Sequence, residues 1–105
     1  MSLDEALVRE LREAAKAGAT ASQLVLMVGR HLNAVDANFR LYAIAYMREA
    51  FFLSLREASP VGALAIFPDG HSSAAQIDDE MRPILDATRP KWVSQESQRR
   101  GWTTE

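Results

Sequence analysis

The chain contains no cysteine, which excludes disulfides, thiolate metal sites and cysteine nucleophiles and fits a reducing cytoplasm. Glycine and proline are sparse, five and four in 105 residues, so few points interrupt the chain and the segments between them run long. No apolar run approaches the roughly 20 residues that cross a bilayer, and residues 1–10 carry neither the basic leader nor the apolar core of a secretory signal. The formal net charge is −2 and no cluster of Lys and Arg exists beyond Arg99 and Arg100, so the electrostatic footprint of a nucleic-acid binder is missing. Also missing are a glycine-rich phosphate loop, a Gly-x-Ser-x-Gly elbow and a His-Glu-x-x-His metal motif. These absences point to a protein that is not an enzyme and has no cofactor, metal, nucleic-acid or membrane partner.

What is present is alanine in quantity with few β-branched residues, a composition that favours an all-α fold. No internal repeat is visible, and the length suits one domain, 1–105, with a core of its own. The chain is organised around 36–58, a stretch without glycine or proline that opens on Asp36 as an N-cap and is followed by Pro60. It reads as one unbroken helix about 34 Å long. At about 100° per residue, Phe39, Tyr42, Ala43, Tyr46, Ala50 and Leu53 fall on one side, and Leu41, Ile44, Phe51, Phe52 and Leu55 on nearly the opposite side. A helix apolar on two faces is expected to be covered on both.

Before it, residues 2–17 form an amphipathic helix with Leu3, Leu7, Leu11 and Ala14 on one face, Val8 and Ala15 at its margin, a Ser2–Glu5 capping box and Gly18 as the stop. Thr20 or Ser22 caps a second helix with Leu24, Val25, Met27, Val28, His31 and Leu32 on one side. After it, 59–73 is a long apolar loop, expected as an extended cover or a short helical turn over the central helix. Ser73 and Gln76 fit the capping-box spacing of a fourth helix, in which Ala74, Ile77, Met81, Ile84, Leu85 and Thr88 form the apolar stripe, Asp78 can pair with Arg82, and Pro83 predicts a kink. Arg89 and Pro90 are read as its end, and 91–100 as a short fifth helix anchored by Trp92 and Val93. The expected architecture is a four-helix array around the central helix, with that short fifth helix at the C-terminus and the loop between the third and fourth.

Chemistry-bearing residues are few. His31 sits in an apolar stripe, the usual place of a core histidine bonded to backbone rather than of a catalyst. Arg48 projects amid apolar neighbours and needs water, a carboxylate or an anionic ligand for its charge. His71, Asp69 and the run Asp78, Asp79 and Glu80 have no recognised ligand spacing, and acids in the first turns of a helix already complement its dipole. The first reading is a protein–protein interaction module, a homodimer with a possible further protein partner, of the size of small bacterial accessory, antitoxin or immunity proteins. Its interface candidates are Phe51, Phe52, Leu55, Phe67, Trp92 and Trp102. An alternative is a small-molecule-binding or enzymatic bundle with Tyr42, Tyr46, Arg48, Glu49 and His31 as its residues and Arg48 as the anion anchor. A second alternative is a helix-turn-helix DNA regulator built from the first two helices.

Overall fold

A computed structural model describes residues 3–32, 38–67 and 70–103, with side chains described as far as Val93. Every regular element among them is helical: α1 (Glu5–Lys16), α2 (Ala21–His31), α3 (Phe39–Phe51), α4 (Leu55–Ala58), a 3₁₀ turn (Ser59–Ala63) and α5 (Ala74–Thr103). The all-α class follows from the composition, and the caps explain most of the starts. Asp4 accepts from the Ala6 N–H at 2.8 Å and caps α1, in place of the expected Ser2, which lies outside the described residues. Thr20 and Gln23 form a capping box on α2, and Ser73 and Gln76 bond reciprocally at the head of α5. Gly18, at φ +104°, supplies the left-handed backbone that turns the chain out of α1.

The expected rod over 36–58 is two helices. α3 ends at Phe51, Phe52 takes the left-handed conformation (φ 55°, ψ 44°), and Ser54 caps a new one-turn helix. The Leu53 N–H reaches back to the Arg48 carbonyl at 3.1 Å, the bond that closes a helix in a Schellman ending. At the other end the merger runs the opposite way. Pro90 does not terminate the fourth helix, and what was expected as a separate fifth helix is the continuation of α5 through Pro83 and Pro90 to Thr103. At about 1.5 Å per residue its 30 residues span roughly 45 Å, close to the 48 Å long axis of the molecule.

One core cluster joins all these elements. α1 contributes Leu7, Val8, Leu11 and Ala15, α2 contributes Leu24, Val25 and Val28, and α5 contributes Ile77, Met81, Leu85 and Trp92. α3 buries Ala43, Tyr46, Met47, Ala50 and Phe51 among them. The loop after α4 folds down as both cover and turn: Val61, Leu64 and Phe67 are buried, and the Phe67 ring meets Phe39 edge to face at 4.8 Å. Backbone bonds from His71 and Ser72 to the Ala63 carbonyl, and from Ala65 to the Ser72 carbonyl, close it. Gly70 is required there, because a methyl group on it would collide with the Leu64 carbonyl oxygen.

Candidate functional site

The break in the central helix creates the most unusual surface of the described residues. A helix that ends on a left-handed residue ordinarily uses glycine, since a side chain there costs about 1–2 kcal/mol. This one uses phenylalanine, the only non-glycine residue with positive φ among those described. Phe52 is 40% exposed, and Leu55 just beyond it is 58% exposed. On α3, Leu41 is 56% exposed, and the positions between, Ala45 and Arg48, also lie outside the buried core. The spacing 41, 45, 48, 52 is the alternating four-three rhythm of a seam that receives another helix. The expectation that both apolar faces of the central helix would be covered therefore fails on this side: Phe51 turns into the core, Ile44 is partly covered by Gly62, and Leu41, Phe52 and Leu55 stay open.

Beneath the elbow stands a buried charge. Arg12 of α1 is 3% exposed; its Nε donates to the Ala50 carbonyl at 2.8 Å and its Nη2 to the Glu49 carbonyl at 3.2 Å. These carbonyls belong to the end of α3, where acceptors lack helical partners and the dipole favours a cation. The same guanidinium lies 5.4 Å from the centre of the Phe52 ring, within cation–π range. Arg12 thus holds the elbow from inside while Phe52 faces outward. It went unnoticed in the sequence, although it sits at helical spacing between Val8 and Ala15, both buried.

The residues gathered above as a binding set are divided. Tyr46 is buried, and its hydroxyl accepts from the Asp4 N–H at 2.8 Å. His31 is not a core residue: its ring is 40% exposed and its Nε2 lies 3.4 Å from the Asp4 carboxylate. Tyr42 stands beside Tyr46, ring centres 6.4 Å apart. Tyr46 and His31 clasp the start of α1 to α3 and α2 through Asp4. Arg48 and Glu49 lie at the other end of α3, exposed, with the Arg48 Nε donating to the Leu53 carbonyl at 3.4 Å. Arg48 is therefore neither buried nor grouped with the tyrosines.

Of the interface candidates, Phe51, Phe67 and Trp92 belong to the core, Phe52 and Leu55 are at the surface, and the Trp102 side chain lies outside the described residues. Asp36, Pro68 and Asp69 lie outside them too. Asp78 bonds across to α2, not to Arg82: its two oxygens accept from the Ser22 N–H at 2.8 Å and from the Ser22 hydroxyl at 3.0 Å. Among the described residues no three His, Asp or Glu side chains are grouped to hold a metal ion, and no helix is long and apolar enough to cross a membrane.

No family model, curated protein or solved structure matches the chain.

Proposed function

We propose that the chain is a non-catalytic interaction module that pairs with a second copy of itself through the open face of α3 and α4. The observation that carries this reading is Phe52: a bulky residue held in left-handed backbone, its ring presented to solvent in line with Leu41 and beside Leu55. Strain of that kind persists where the surface it builds has a use. A two-fold pairing needs a patch that complements itself, and the charges here do so. Arg48 and Glu49 are both exposed, and neither has an ion-pair partner among the described residues. Antiparallel packing of α3 on α3 with the two-fold axis level with residues 48 and 49 would bring each Arg48 beside the other copy's Glu49. The DNA reading has less support, because the exposed positions of α2 are Gln23, Leu26, Arg30 and His31, a poor set for phosphate.

Sedimentation equilibrium tests the pairing. A dimer is expected at about 100 μM, the range in which even weak functional pairs associate. Leu41→Glu, at an exposed position, should yield a monomer with unchanged helical circular dichroism. Arg48→Glu should weaken the dimer, and adding Glu49→Arg should restore it. A wild-type monomer at that concentration overturns the proposal.

A further inference from the structure

A buried residue stands behind the exposed one on which the pairing face turns. Phe51 and Leu53 both lie in the core, so the chain is pinned on either side of Phe52 and that side chain is directed outward. Burial of the two neighbours fixes where the Phe52 backbone runs but leaves its ring free to turn about its own side-chain bonds. Arg12 supplies a contact on the ring itself. Its guanidinium lies over the Phe52 ring, 5.4 Å from the centre, while its Nε and Nη2 donate to the Ala50 and Glu49 carbonyls. One planar group therefore grips the backbone just before the elbow and the ring at it. From the surface side the Arg48 Nε donates to the Leu53 carbonyl, so the elbow is held from both directions. Arg12 is itself 3% exposed and out of a second copy's reach.

We propose that Arg12 is the positioning residue of the pairing face, a role that rests on the pairing through α3 and α4: it sets how tightly two copies associate by holding the Phe52 ring in place. A side chain that is already fixed gives up little freedom when a partner covers it, and preorganisation of this kind raises affinity without any new contact. Attraction between a cation and an aromatic ring acts on the face of the ring and is strongest where water is excluded. Arg12, buried and over the ring, meets both conditions. In a two-fold pair the effect enters twice, once from each copy. Because Arg12 does not reach the partner, any change of affinity on its substitution passes through the elbow.

A double-mutant cycle on the full chain tests this, with the dimer dissociation constant read by sedimentation equilibrium and, for the weaker variants, by dilution in NMR. Arg12→Met, which removes the charge but keeps an unbranched stem, should weaken the dimer about tenfold, and Arg12→Lys, which keeps a cation without the planar fork, about threefold. In a Phe52→Leu background, where an apolar side chain remains but no ring, either substitution should change the constant by less than about twofold. A merely structural role for Arg12 moves the constant by the same factor in both backgrounds. Circular dichroism checks the folding of each variant, and Arg12→Lys carries the comparison alone if Arg12→Met unfolds. A dimer that Arg12→Lys leaves as tight, or that is weakened equally with and without the ring, overturns the positioning role and leaves the pairing standing. A wild-type monomer at about 100 μM overturns both.

Discussion

Arg12 is the residue on which the elbow depends. Its buried guanidinium donates to two carbonyls at the end of α3 and stacks on Phe52, so Arg12→Ala removes charged hydrogen bonds from a dry site and leaves acceptors behind. A loss of about 2–4 kcal/mol is expected in urea denaturation. Arg12→Lys should recover only part of it, because an ammonium lacks the planar fork that reaches both carbonyls. Tyr46→Phe deletes only the acceptor for the Asp4 N–H, and about 1 kcal/mol should be lost in the same assay. Sequence reasoning chose Arg48 as the odd cation and passed over Arg12. Both arginines have apolar neighbours at helical spacing, and which one is covered depends on the helix packed against it.

At the scale of elements, the break after α3 was written in Ser54 and Glu57, a capping-box pair inside what looked like a continuous rod. It was overlooked because no glycine or proline marks the break, the left-handed position being filled by phenylalanine. The pair makes α4 sensitive to acid. The Ser54 N–H donates to the Glu57 carboxylate at 2.9 Å, and bonding to the Ser54 backbone and then its side chain holds the Glu57 carboxyl below its ordinary value of 4.5. A lowered carboxyl stabilises the fold above the unfolded value and loses that contribution as pH falls through the folded one. Glu57→Gln should therefore flatten the stability profile below about pH 4.5 and leave the acid limb of the other carboxylates in place, as read by thermal melts across pH. α5 carries a different local penalty. Pro83 is exposed and interior to the helix, so Pro83→Ala restores a backbone donor without loss of packing and should raise stability by about 1–3 kcal/mol in the same denaturation assay.

For the whole molecule, the decisive relation is between the covered and the open side of α3. Tyr46, Met47, Ala50 and Phe51 are enclosed by α1, α2 and α5, while Leu41, Phe52 and Leu55 have no such cover. If a second copy supplies it, association and folding are linked, and the melting temperature should rise with protein concentration in the wild type but not in Leu41→Glu. A concentration-independent melt in both would separate folding from association.

The amino-acid sequence by itself determined the helical class and the starts of α2 and α5, because caps and apolar spacing act within a turn or two of chain. It also marked both sides of the central stretch as apolar. Only the tertiary structure decided that this stretch bends at Phe52, that Asp78 reaches across to Ser22 and not along its own helix to Arg82, and that α5 runs through both prolines. It also decided which apolar side stays open, and that Arg12 of α1 lies over the Phe52 ring. Each of these turns on contacts between residues far apart in the chain, where packing and the pairing of buried polar groups outweigh local preference.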